Sequence, residues 1–430
     1  SLCGPALRPG PPDDGCGAMT MGATAASWSS HPKELWIGLL GLGIALSPTN
    51  TKIAGAAWLL LCMAGLVAFF RAPSATDDRA SASKAWLIAC ALAAALAVIV
   101  ALIWPDRPDT LHAEFRLLLA AVATHQLVRH LPGAERWRAL TLPVVALACV
   151  AALGVIASGH DRHSVPSNPI PWAVATSLLL CIVLPFMLDR AVPARQRVVY
   201  GVCIMGGLGG ILTSQSRGAY GIMVWTCWLL VTSWRSHHRQ VSASRIGMAG
   251  LLCAAIVAVA VSLPVDPLRL RKGWHETVQA VNEGNYSSSM GARMYLWRLG
   301  WQSFQESPWI GIGGRERLKR IKSAGLDLPL DQRARFQEVR NVGHVHNQYL
   351  HAAMDGGLIG LASTLAVLAG LGASAWRLRR LDPVASRQMQ GVLFMHATAG
   401  LTNVNMAHNY YAIMLSLTVA VILIGAGARA

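Results

Sequence analysis

The chain has 430 residues, 53% of them hydrophobic and 13% charged. Its apolar residues come in stretches of roughly 18 to 22, the length that crosses a hydrocarbon core, so the composition excludes a water-soluble fold and predicts an all-α, polytopic membrane protein. The formal net charge of +16 would suit a nucleic-acid partner, but most of it falls in short connections between the apolar stretches, which sets that partner aside.

In chain order, residues 1–30 are rich in Gly, Pro, Ser and Asp and lack a basic-then-apolar signal pattern. They read as a disordered leader, partly foreign to the natural chain, with Met19 or Met21 as its true start. Residues 31–430 read as a single transmembrane catalytic domain. About twelve spans are expected, centred near residues 41, 62, 94, 121, 147, 180, 206, 226, 255, 360, 395 and 419. With both termini cytoplasmic, sixteen Arg and Lys from Arg71 to Arg387 fall in inner connections, against four (Lys52, Arg107, Arg162 and Arg217) in the short outer ones. That asymmetry is the positive-inside signature, and it puts residues 265–345 outside as one long periplasmic loop between spans nine and ten. The loop holds thirteen basic and eight acidic residues, a surplus of +5 on which an anion could dock.

Seven of the nine cysteines lie in spans and none in the loop, so no disulfide framework holds it. There is no CxxC or HExxH spacing, and Asp106-x-x-Asp109 reads equally well as a turn, so neither a metal nor a cofactor is expected. Inside the loop, Met290, Met294, Trp297, Trp301 and Phe304 recur at three or four and predict a helix with an apolar stripe. Ser307–Gly314 is a turn-rich break. A second short helix, Arg315 to Ser323, sets Leu318 and Ile321 against Arg315, Lys319, Arg320 and Lys322, which suits a headgroup layer or a solvated basic face equally.

Several residues carry chemistry. Arg217 occupies a turn between two spans with almost no loop, where charge is costly unless paired or functional, and its planar fork matches phosphate oxygens; snorkelling to headgroups is the plainer alternative. Arg293 opens the Trp-striped helix. His344 and His346 immediately precede the tenth span; on a helix they would face different ways, and the positive helix end would keep an imidazole neutral, as a general base requires. An ordinary interfacial histidine is the bland reading of either. Asn347 is a candidate helix cap, His351 and Asp355 are spaced to pair on one face, and Asp355 within a span demands a partner or a cavity. His408-Asn409, in the last outer turn, supplies a competing imidazole.

Taken together, Ser216-Arg217-Gly218-Ala219, Arg293 with Trp297, the Pro308 to Gly313 Pro-x-x-Gly-x-Gly stretch, His346-Asn347-x-x-Leu350 and Asp355-Gly356-Gly357-Leu358-Ile359-Gly360 resemble the O-antigen ligase family, with a looser match at Asn168-Pro169-Ile170. Its superfamily includes O-antigen polymerases and protein O-oligosaccharyltransferases. The sequence departs from the pattern at Asp355, where Glu is more usual, and in the extra imidazole of His344. The resemblance implies a glycosyltransferase of the Gram-negative inner membrane that moves polysaccharide from undecaprenyl pyrophosphate to the lipid A core oligosaccharide on the periplasmic face. Arg217 and Arg293, with Arg162, would then bind the pyrophosphate, and His346 would be the base of a metal-independent, inverting transfer. His344, Asn347, Asp355 and His408 would be supporting residues. A carrier of lipid-linked sugar or solute would share the hydropathy, but it should show an internal repeat with broken helices in both halves, and no such repeat is apparent.

Overall fold

The computed structural model describes residues 31–70, 78–105, 111–130, 134–159, 165–189, 191–237 and 270–427. The leader, the span expected near residue 255, Asp106, Asp109 and Arg162 lie outside the described residues. The chain divides into a short N-terminal unit, Ser1–Trp36, and a body, Ile37–Ala430.

All regular structure among the described residues is helical. Among the described residues, eight helices precede the polar segment: α1 (His31–Leu46), α2 (Thr51–Phe69), α3 (Asp78–Ile103), α4 (Leu111–His130), α5 (Ala134–Gly159), α6 (Pro169–Met187), α7 (Ala194–Thr213) and α8 (Gly221–His237). The segment itself carries α9 (Leu270–Glu283), α10 (Ser289–Glu306) and α11 (Gly313–Lys322), then the short turns Leu330–Arg333 and Gln337–Asn341. It is followed by α12 (Gln348–Leu381), α13 (Pro383–Gly400) and α14 (Asn409–Gly425). Every described span centre falls within a helix, and among the described residues five helices are by themselves long and apolar enough to cross a membrane: α2, α3 from Ala80, α6, α7 and α12. This is a multi-pass membrane protein, and five of the expected twelve spans meet the length and apolarity of a crossing helix among the described residues.

Helices α6 and α14 form the centre of the body. Both are apolar all round, which leaves no face for water, and nearly every residue of each is buried. Around them pack α2, α4, α5, α7 and α13. Helix α12 lies along α3, where Ser363 and Ser374 donate to the carbonyls of Ala93 (2.9 Å) and Ala82 (3.0 Å). Small polar residues suit such a contact because they let backbones approach and still satisfy their hydroxyls.

Helix α12 is broken at Gly357 (φ 59°, ψ −146°). The break frees the carbonyl of Met354 and the amide of Leu358, and the turn-rich stretch before α11 takes both: Ile312 N donates to Met354 O (2.8 Å) and Leu358 N to Pro308 O (2.7 Å). Gly311 (φ 68°) faces Gly357 across this joint, and a Cβ on either would overlap the opposing backbone. The two glycine-rich stretches of the sequence are therefore halves of one contact.

The polar segment has its own core, in which Leu296, Ile312, Ile321, Phe336 and Val339 pack with Val345 and Met354. Two expectations change here. The buried face of α10 is Gly291, Ala292, Leu296, Gly300 and Ser303, whereas Met290, Met294, Trp297 and Phe304 are half-buried and Trp301 is exposed. Close helix contact selects small side chains, so the large apolar stripe straddles the contact instead of filling it. Helix α11 is not a basic surface helix throughout: Ile321 and Arg317 turn inward, and Arg317 is only 4% exposed. Other cations of the segment are also committed, Arg320 to Glu306 (2.6 Å) and Arg340 to the carbonyls of Ala324 and Arg333. The charge surplus is consequently not one open docking face.

Candidate active site

The first half of the site is built where α6 begins. Asn168 caps α6 by accepting from Ile170 N (3.0 Å), and Ser216 Oγ donates to Pro169 O (3.0 Å), fixing the turn after α7. That turn runs through Gln215 in the left-handed region (φ 52°), which for a residue with a Cβ costs about 1–2 kcal/mol, into the single 3-10 turn Arg217–Ala219. The Arg217 guanidinium lies against Gly273 of α9, in the space that a Cβ there would take. From α10, Arg293 donates to Ser289 Oγ (3.0 Å). Arg217 and Arg293 line one cavity of 120 Å³, together with Gln215, Ser289, Trp297 and Thr402.

The second half is the stretch before α12. It is not helical: Val345 is wholly buried as an anchor, and the imidazoles on either side of it emerge together. The rings of His344 and His346 stand 4.3 Å apart between centroids, nearly perpendicular, with the His408 ring 6.3 Å from that of His344. The expectation of divergent histidines assumed helical spacing and does not hold. His346 is the second non-glycine residue in the left-handed region (φ 54°). Its carbonyl accepts from Trp297 Nε1 (3.4 Å), which ties it to the wall of the arginine cavity, and its side chain hydrogen-bonds Asn403. Burial, then the neighbouring His344 and Arg293, push His346 down to about 3. Burial, His408 and Arg317 push His344 down to about 4, and burial also lowers His408. All three rings are neutral near pH 7, through desolvation and neighbouring charge, where the sequence suggested a helix dipole. Asn347 caps α12, its Oδ1 accepting from Tyr349 N and Leu350 N at 3.0 Å each.

The partner of Asp355 is Arg317, whose Nε donates to Oδ1 at 2.6 Å; Oδ2 lies 3.7 Å from His351 Nε2. Arg317 also donates to the carbonyl of Gly343, immediately before His344. It therefore links α11, α12 and the histidine stretch, a role the sequence reading missed. The available signal was Asp355 itself, since a carboxylate inside a span requires a cation. Arg317, His344, His351 and Asp355 face a second cavity, of 290 Å³. Arg217, Arg293, His344, His346, Asn347, Asp355 and His408 thus fall in one neighbourhood, while Arg162 is outside the described residues. Among the described residues, no group of three or more His, Cys, Asp or Glu is arranged to hold a metal ion.

A cation-lined cavity beside neutral imidazoles, carried on apolar helices, defines a multi-pass membrane protein equipped to hold an anionic group next to a base. Residues 201–365 match the family model described as O-antigen ligase. The match supports the superfamily of O-antigen ligases and polymerases, and it takes in Arg217, Arg293, Arg317, His344, His346 and Asp355 but not His408. No curated protein matches the chain.

Proposed function

We propose that this chain is an O-antigen ligase of the Gram-negative inner membrane, acting at its periplasmic face. It transfers polysaccharide from undecaprenyl pyrophosphate to a hydroxyl of the lipid A core oligosaccharide. The observation that carries this reading is the cavity shared by Arg217 and Arg293, bounded through Trp297 by the neutral His346. Two guanidiniums in a site of low dielectric neutralise a diphosphate leaving group, so the reaction asks for no metal and no protonating acid. His346 accepts the proton of the acceptor hydroxyl as the new C–O bond forms at the anomeric carbon. The bond from that carbon to the diphosphate oxygen breaks at the same time, and undecaprenyl diphosphate leaves with the electron pair. Attack opposite the leaving group inverts the anomeric carbon.

The test is transfer in vitro with purified lipid-linked glycan and lipid A core, in chelator. His346→Ala should abolish transfer and leave donor binding largely intact. Full activity of His346→Ala alongside an inactive His408→Ala would move the base to His408. Elongation of the lipid-linked glycan without any core acceptor would make the chain a polymerase instead.

A further inference from the structure

We infer that the 290 Å³ cavity on the other side of the histidine pair is a subsite for a neutral, polyhydroxylated ring, the sugar that accepts the transferred glycan, and that Glu114 is its hydroxyl-reading carboxylate. This rests on the proposed transferase reading and assigns to it a place for the second substrate.

The two cavities differ in charge. The first is lined by Arg217 and Arg293 and by no carboxylate. The second is lined by Glu114 and Asp355, and its cation, Arg317, is committed to Asp355 at 2.6 Å. A diphosphate is drawn to the two arginines of the first cavity, whereas the cation of the second is already paired with Asp355, which suits an uncharged polyol.

Three residues that line the second cavity also carry unmet hydrogen-bonding capacity. Glu114 Oε2, His344 Nδ1 and His351 Nδ1 are buried and have no partner in the fold. Buried polar atoms left unsatisfied are costly, so three on residues that line one space favour an occupant towards which these side chains can turn. Hydroxyls suit them because each both donates and accepts, and a carboxyl group and an imidazole nitrogen can each meet a hydroxyl in either role. Ala97, Val100 and Ala352 give the wall apolar stretches for the C–H face of a ring. Gly343 and Ala407, both exposed, mark its mouth.

Position completes the argument. His344 lines this cavity and its ring contacts that of His346, whose carbonyl is held by Trp297 of the arginine cavity. An acceptor in the second cavity and a diphosphate in the first therefore meet across the imidazole pair. Glu114 lies in the first turn of α4, outside the matched residues 201–365.

The test uses the full-length protein in detergent, with deacylated core oligosaccharide as the acceptor probe and lipid-linked glycan as donor. Glu114→Gln should raise the KM for the oligosaccharide about tenfold or more, as loss of a buried hydrogen-bonding carboxyl does, with the donor KM within about twofold of wild type. Ala407→Phe, a bulky side chain at the exposed mouth, should show the same split. Equilibrium binding of the oligosaccharide should be unchanged by Arg217→Ala and weakened by Glu114→Gln. If wild type binds the oligosaccharide in a Glu114-dependent way yet transfers nothing, the subsite stands and the ligase reading fails. If wild type transfers but neither variant moves the acceptor KM, or Glu114→Gln moves the donor KM instead, the subsite is overturned and the ligase reading stands.

Discussion

Gly357→Ala should open the joint between the polar segment and α12. The residue sits at φ 59°, which a side chain makes unfavourable by about 1–2 kcal/mol, and the new Cβ would overlap the backbone of Trp309 and Ile310. Separating the two sides to relieve that overlap breaks the hydrogen bonds Ile312 N to Met354 O (2.8 Å) and Leu358 N to Pro308 O (2.7 Å), at about 0.5–1.5 kcal/mol each. The sum is about 2–5 kcal/mol, which lowers the ratio of docked to undocked joint by a factor of about 30 to several thousand. Hydrogen exchange at the Ile312 and Leu358 amides reads this directly, because both should exchange faster by that factor. Gly154→Ala in α5, where a Cβ meets open space, is the control and should leave both rates unchanged. A Gly357→Ala protein whose Leu358 amide exchanges within about threefold of wild type would refute the account of the joint.

Other consequences follow from the same residues. Because His346 and His344 titrate at about 3 and about 4, kcat/KM for the donor should stay level from pH 8 to about 5 and fall only below that. An acid limb near 6.5, where a solvated imidazole titrates, would refute the buried base. Both rings are neutral in the fold while the unfolded chain takes up protons below about 6.5, so their contribution to stability is intact above 6.5 and is lost as pH falls towards 4 and 3. The melting temperature should drop over that range, and less steeply in His344→Gln/His346→Gln. Arg317→Met leaves Asp355 buried and uncompensated and should cost about 3–5 kcal/mol in unfolding experiments. Arg317→Met/Asp355→Leu should recover most of that stability while transfer stays at least about tenfold down, since the Gly343 carbonyl still lacks its donor. Recovery of both would remove Arg317 from the positioning of the histidines. Asn347→Ala should cost about 1 kcal/mol in the first turn of α12, seen as faster exchange at Tyr349 and Leu350.

The helices were legible where one-dimensional patterns suffice. Apolar length located the helical stretches, Asn347 announced its own cap, and Asp355 announced a need for a partner or a cavity, though not that the partner is Arg317. What the pattern could not supply was conformation outside helices. The histidines converge because Val345, between them, is buried, and burial of one valine in a polar segment leaves no trace in periodicity. Large apolar residues also misled: on α10 the stripe of Met and Trp is conspicuous, but contact is made by Gly291, Ala292 and Gly300. Arg317 was hidden among the basic residues of a short amphipathic helix, and only the fold separates it from its exposed neighbours Arg315 and Lys319. Glu114, in a helix of ordinary composition, became visible only through the cavity it lines.

The joint at Gly357 also bears on how the chain is made. Backbone groups left bare where water is excluded cost several kcal/mol each, so an interruption in an apolar helix is unfavourable until something covers the gap. Here the cover, Pro308 to Ile312, is translated before α12 and is already available when the interruption emerges from the ribosome. Chain order therefore supplies the cover ahead of the gap, and a chain with Pro308–Gly314 deleted should accumulate to a lower level than wild type, with this helix more open to proteolysis.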